Sequence, residues 1–194
     1  QDRNTLLEVK VRRNSETTFA QETAGDAPAF LVLYDDYFSR IYTYFRYRFD
    51  DPATCDDLAS QTFIQALENF DQFSPQRGPV AAWLFGIARN LANRHLQKKR
   101  RFGCLPLEAL GSLSSSDSSP EERVISRDDR QQVLQAMRGL SARQRDLLAL
   151  KFSARLTNRQ IAALTGLTEQ NVGVIIHRAV RQLRKQMEED TSHA

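Results

Sequence analysis

RLTNRQIAALTGLTEQNVGVIIHRAVRQLRK, residues 155–185, is the stretch on which the reading of the fold turns. Ala162, Gly166 and Val172 stand at the three positions that a helix-turn-helix constrains. Where the two helices cross, a small residue lets the backbones approach, and Ala162 supplies it. The tight turn needs a residue that accepts positive φ, which Gly166 does at no steric cost. An apolar residue early in the second helix must anchor it to the domain, and Val172 is placed to do so. Ile161, Leu164 and Leu167 supply flanking core. Thr157 with Gln160, and Ser141 with Gln144 upstream, have the spacing of capping boxes.

The second helix carries Gly-Val-Ile-Ile, residues 173–176, where a reader of DNA is expected to show polar and charged side chains. Helical phase accounts for this. At 100° per residue Val172, Ile175, Ile176, Ala179 and Leu183 gather on one side, which packs on the domain. Opposite lie Gln170, Val174, His177, Arg178, Arg181 and Lys185, turned toward a major groove or its phosphates. Gln170, Asn171, His177 and Arg178 are candidate base contacts. Arg181, Arg184 and Lys185 are candidate phosphate contacts, and Arg159 and Thr168 join the candidate surface just ahead of the helix. Gly173 offers only its backbone. So thin a surface implies weak DNA binding by this helix alone, with affinity supplied from elsewhere. The plainer alternatives are a solvated helix end for Arg181 to Lys185 and an uninvolved surface histidine for His177.

Charge is uneven along the 194 residues, although the net charge is only +3. Residues 50–71 hold six acids and no base, residues 74–104 seven bases and no acid, and residues 140–187 nine bases against two acids. Two basic blocks suggest two contacts with a polyanion, and the acidic block suggests a different partner.

Hydrophobic periodicity organises the chain upstream of the motif. Residues 1–27 are polar and read as a flexible arm. A helix is predicted over 29–49, with Leu33, Phe38, Ile41, Tyr42, Phe45 and Phe49 recurring at helical spacing. Asp51-Pro52 breaks it. A second helix is predicted from about Asp56 to Phe70, with Leu58, Phe63, Leu67 and Phe70 inward. The loop DQFSPQRGPV follows. A third helix starts near Val80, buries Trp83, Leu84, Ile87, Leu91 and Leu96, and exits through Lys98 to Arg101. These three helices, residues 28–101, can close one small core. GCLPLEALGSLSSSDSSPEE marks a linker over 102–123. The second helical block, 124–187, has helices near 125–139, 142–151, 158–165 and 169–187, then a tail over 188–194. No strand-like alternation occurs. The expected fold is all-α: two small helical domains joined by a flexible linker, the C-terminal one a helix-turn-helix domain.

Composition excludes other classes. At 41% hydrophobic and 26% charged the chain is an ordinary globular one. No run approaches the ~18–20 apolar residues of a membrane span, and the opening stretch lacks the apolar core of a secretory signal. Cys55 and Cys104 match no metal or redox spacing and read as reduced thiols in a cytoplasmic protein. His95 and His193 have no plausible ligand partners. No catalytic, metal or cofactor site is expected, and the chain is not read as an enzyme.

The predicted third helix, PVAAWLFGIARNLANRHLQKKRR, places Arg89, Asn90, Asn93, Arg94, Gln97 and Lys98 largely away from Trp83, Ile87 and Leu91. Cations and amides beside aromatics suit strand separation: the cations hold phosphates and a loop pockets an unstacked base. With these pieces in order, DDLASQTFIQALENFDQF, AAWLFGIARNLANRHLQKKRR and LSARQRDLLAL ahead of the helix-turn-helix, residues 28–187 resemble a bacterial sigma factor of the sigma-70 superfamily. The absence of a large middle domain resembles the extracytoplasmic-function class.

The resemblance implies roles. Asp56, Asp57, Leu58, Gln61 and Gln65 would dock on the clamp helices of the largest subunit of core RNA polymerase. Phe73, Ser74, Gln76 and Arg77, in the loop, would capture a flipped base of the −10 promoter element. Arg89, Asn90, Asn93, Arg94 and Lys98 would touch the melted strand. Arg159, Thr168, Gln170, Asn171, His177, Arg178, Arg181 and Lys185 would meet the −35 element as duplex, with the same domain also meeting the polymerase flap. The linker, with Asp117, Glu121 and Glu122, would thread toward the active-site and RNA-exit path. An anti-sigma factor is a further implied partner. Gly173 and Ile175 stand where many members carry Lys or Arg, which favours backbone or shape readout. Thr62 replaces a usual Glu, reducing charge at the docking edge. A stand-alone helix-turn-helix regulator with a sensing or dimerising first block remains the alternative.

Overall fold

The computed structural model describes residues 27–102 and 127–191. Seven α-helices fall within them: α1 Ala27–Arg46, α2 Pro52–Glu68, α3 Val80–Phe102, α4 Arg127–Arg138, α5 Ala142–Phe152, α6 Asn158–Thr165 and α7 Glu169–Thr191. Two short 3-10 turns, Phe70–Gln72 and Pro75–Arg77, join α2 to α3. The described residues contain no strand, as the missing period-two pattern implied. The predicted N-terminal arm and linker, with Cys104, Asp117, Glu121 and Glu122, lie outside the described residues.

Local chemistry sets the boundaries. The first helix stops at Arg46, short of the predicted 49, and Pro52 starts α2, four residues earlier than expected. Its fixed φ suits the first helical position, where no N–H is needed. Asp51 caps that end by accepting from the N–H groups of Ala53 and Thr54. Ser141 with Gln144 and Thr157 with Gln160 form complete, reciprocal capping boxes on α5 and α6. Gly166 takes φ 72°, and its N–H bonds the Ala162 carbonyl to close the helix-turn-helix turn. The helix predicted to stop at 187 continues through Thr191.

Tyr44, Phe45, Ile41, Leu33, Leu84 and Phe85 are almost fully buried in the first block, the last two from α3. Cys55, Ala59, Phe63 and Ala66 bring in α2. This core does not stop at the block boundary. Leu147, Leu150, Leu156, Ile161 and Val172 of the second block belong to the same cluster. A smaller cluster, Met137, Leu140, Leu148 and Ala179, holds α4, α5 and α7 together, with Tyr47 of the first block packed against it. The two blocks expected from the sequence are therefore clasped into one body. Arg40 Nε and Nη2 donate to the carbonyls of Ser153 and Ala154 (3.0 and 2.8 Å), just past the C-terminal end of α5. Cations are favoured at such ends, where carbonyls lack helical partners.

The Asp51 cap is testable. Its hydrogen bonds to Thr54 come first in holding its carboxyl below the ordinary range, so its stabilisation is present above the unfolded-state pKa and is lost as pH falls through the folded one. Asp51→Ala is expected to lower unfolding free energy by about 1 kcal/mol at neutral pH. In urea titrations the difference should disappear in acid below the folded pKa.

Candidate polymerase and nucleic-acid interfaces

Three surfaces carry the candidate residues. The first is the outer side of α2. Asp57, Gln61, Ile64 and Glu68 recur at three- and four-residue spacing and all are exposed, beside exposed Asp56, Ser60 and Leu67. Gln65 is half-buried at the margin. Burial first, and the adjacent Asp57 carboxylate second, raise the Asp56 carboxyl above its ordinary range. The surface is thus an acidic rim around apolar Ile64 and Leu67, which are 56% and 57% exposed. Leu58 does not belong to it: at 4% exposure it is core. Leu67, predicted inward, faces out. Thr62 corrects a second expectation. It is fully buried, and its hydroxyl donates to the Leu58 carbonyl at 2.7 Å. It turns inward with Leu58 and Ala59, so it removes no charge from the exposed edge. Cys55 is also inward, and burial pushes its thiol up to about 12.

The second surface runs from the α2–α3 connection along α3. Phe73 is half-buried, its ring 5.3 Å from Trp83 and stacked on Phe70. It therefore packs as the floor of the loop. Ser74 donates its hydroxyl to Gln76 Oε1. Gln76 and Arg77 are exposed, and Gly78 turns the chain at φ 138°. Asn90, Arg94 and Lys98 are exposed along α3. Arg89 and Asn93 are not presented in the same way. Arg89 Nε donates to Asp146 Oδ2 (3.0 Å) and Nη1 to the Leu164 carbonyl (2.9 Å). Asn93 Oδ1 accepts from Arg48 Nη2 at 2.9 Å. These bonds cross between the blocks or feed the group that does.

Asp146 is the centre of that network. Its Oδ1 accepts from the Tyr44 hydroxyl at 3.0 Å and lies 3.1 Å from Arg48 Nη1. Arg48 Nη1 also donates to the Tyr44 oxygen at 2.6 Å. The side chains of Arg48 and Asp146 are 5% and 9% exposed. Burial, opposed chiefly by Arg48, lifts the Tyr44 phenol far above its ordinary value, so it stays a protonated donor. Nothing in the sequence pattern marked Tyr44, Arg48 or Asp146; only the fold brings them together.

The third surface is the outer face of α7. Gln170, Asn171, Val174, His177, Arg178, Arg181, Arg184 and Lys185 are exposed, as helical phase required. Val172 and Ala179 are buried, with Ile175 and Ile176 packed on the core. Thr168 acts as a cap: its hydroxyl accepts from the Asn171 N–H at 3.2 Å. Arg159 is exposed on α6. Gly173 is near the Asn158 amide, 3.4 Å from where a Cβ would sit, so the helix-turn-helix is tight there. Among the described residues no cluster of three or more His, Cys, Asp or Glu could hold a metal ion, and no helix is long and apolar enough to cross a membrane.

A helical bundle with an exposed acidic stripe on α2 and a basic α3, followed by a helix-turn-helix, has the architecture of a DNA-binding protein. Comparison with known proteins makes this specific. Residues 33–102 match the model of sigma-70 region 2, and residues 130–183 match sigma-70 region 4. The ECF RNA polymerase sigma factor BldN of Streptomyces coelicolor is 34% identical over 168 residues, covering 86% of this chain and 63% of BldN. The ECF RNA polymerase sigma factor SigW of Bacillus subtilis is 27% identical over 175 residues, covering 86% of this chain and 93% of SigW. The solved structure of CnrH in complex with the cytosolic domain of CnrY shares the fold, with a TM-score of 0.65 at 23% identity over 91% of this chain and 99% of that one. The chain belongs to the sigma-70 family, in its extracytoplasmic-function class.

The inward placement of Leu58 has a direct check. Leu58→Ala is expected to lower unfolding free energy by ~2–5 kcal/mol, as for other buried leucines. Ile64→Ala, one helical face away, should change it by no more than about 0.5 kcal/mol. Equal losses in urea unfolding would contradict the assignment.

Proposed function

We propose that this chain is a promoter-specificity subunit that binds bacterial core RNA polymerase and directs it to promoters with dedicated −10 and −35 elements. The observation that carries the reading is the joint presence, in order, of region 2 with an exposed acidic-apolar α2 face and region 4 with a basic α7 face. Asp56, Asp57, Gln61, Ile64 and Gln65 dock on the clamp helices. Gln76, Arg77, Asn90, Arg94 and Lys98, with Arg89 and Asn93 once freed, handle the melted −10 strand. On the −35 duplex Gln170, Asn171, His177 and Arg178 meet bases, while Arg159, Arg181, Arg184 and Lys185 meet phosphates. The chain works without catalysis of its own and without a cofactor, in the cytoplasm where polymerase and chromosome meet. An anti-sigma factor is a further partner; CnrH was solved in complex with the cytosolic domain of CnrY.

Tethering explains why a thin reading surface suffices. Each bidentate base contact supplies ~1–3 kcal/mol of discrimination. Two weak DNA contacts held on one polymerase act at high effective concentration, so neither needs high affinity alone.

The test is run-off transcription with purified core polymerase. The protein should confer initiation at dedicated promoters, and Asp57→Lys should weaken core binding at least several-fold while leaving helicity unchanged. Gln170→Ala should reduce discrimination at one −35 base pair, whereas Arg181→Ala should weaken binding to all sequences alike and lower the salt slope by about one. Tight palindromic DNA binding by the free chain, with no effect of core polymerase, would instead support a stand-alone regulator.

A further inference from the structure

We propose that Val174 is a specificity-determining residue: it reads a thymine of the −35 element by packing on the C5-methyl of that base in the major groove. The inference rests on the function proposed above and deepens it at the α7 face. Val174 is 41% exposed and belongs to neither hydrophobic core cluster. Its place on the helix is central. At about 100° per residue, Gln170 and Arg178 lie about 40° to either side of it, and His177 and Asn171 about 60°. All four are exposed. The face proposed to read duplex DNA therefore has an apolar side chain at its middle and polar ones around it.

A single exposed valine needs no explanation on an ordinary surface. On this helix local chemistry gives no reason for it. Valine is a weaker helix former than the alanine, lysine or glutamate that an exposed position accepts, and the position lies outside both cores. A phosphate offers an apolar side chain nothing. The major groove offers one apolar partner, the thymine methyl, whereas the other three bases are told apart by donors and acceptors. The helix can come close enough for so short a side chain to reach. Gly173, just before it, is half-buried, and a Cβ there would lie 3.4 Å from Asn158 Nδ2 on α6. Gly173 therefore adds no side chain that would hold α7 away from DNA. Axial rise then sets the register. Val174 stands four residues, about 6 Å, along α7 from Gln170, which corresponds to about two base pairs at ~3.4 Å per pair. The thymine thus lies within about two pairs of the base that Gln170 meets.

The experiment uses core polymerase loaded with wild type, Val174→Ala or Val174→Thr. The template is a promoter that the wild-type holoenzyme transcribes, randomised across its −35 element, and sequencing of the selected templates gives the preference at each position. Circular dichroism checks that all three chains fold alike. Wild type should select thymine at one position. Val174→Ala should lose that preference by about fourfold, the worth of one buried methyl, and keep the preference that depends on Gln170. Val174→Thr, which retains a methyl, should keep both. Deoxyuridine in place of that thymine removes the base methyl and no hydrogen-bonding group. It should weaken the wild-type complex by about fourfold and leave the Val174→Ala complex unchanged. An unaltered thymine preference in Val174→Ala, an equal loss at every position, or deoxyuridine bound as well as thymine by wild type would overturn the assignment. Failure of the wild-type chain to direct transcription from any promoter would instead locate the error in the proposed function, and the inference would fall with it.

Discussion

The buried Asp146 carboxylate is the constraint around which the molecule is arranged. A charge taken from water must be paired and hydrogen-bonded, and breaking such a pair leaves an uncompensated charge at a cost of ~3–5 kcal/mol. Here the pairing comes wholly from the other region: the Tyr44 hydroxyl, Arg48 and Arg89. Once Asp146 is held there, α5 must lie on α1 and α3, Leu164 must approach Gly86, and the two hydrophobic blocks merge into one core. If the bodies part, the same groups regain water, so the clasp can be firm without being permanent.

The candidate surfaces stand outside that clasp in different degrees. The α7 face is fully displayed, and so is the α2 stripe. The α3 face is divided: Asn90, Arg94 and Lys98 are open, while Arg89 and Asn93 are engaged. The faces proposed for protein docking and duplex recognition are thus exposed, whereas the face proposed for a melted strand is partly engaged. That order matches what initiation demands, since a melted strand exists only after polymerase is in place.

Much of this was legible in the sequence because it rests on local rules. Helical phase put Val172, Ile175, Ile176 and Ala179 inward and Gln170, His177 and Arg178 outward. Positive φ singled out Gly166, and side-chain reach singled out both capping boxes. What was missed depends on packing between distant segments. Leu58 and Leu67 both look inward on an amphipathic wheel, and only the neighbouring helices decide that Leu58 is core and Leu67 is not. Thr62 looked like a lost surface charge because its position was read from a family pattern; its phase on α2 shows it bonding the Leu58 carbonyl instead. Tyr44, Arg48 and Asp146 carry no motif, since Asp146 lies about a hundred residues along the chain from the other two. A two-body description was the natural reading of a serine-rich linker, which says how far the blocks can separate but not whether they touch.

The account is tested most directly by the distance between the two regions in the free protein. Spin or fluorescent labels at Gln97 on α3 and Gln131 on α4, both exposed, report it without disturbing the clasp. The account predicts a short separation, within the ~40 Å diameter of a compact chain of this size. A long separation in the free chain would contradict it.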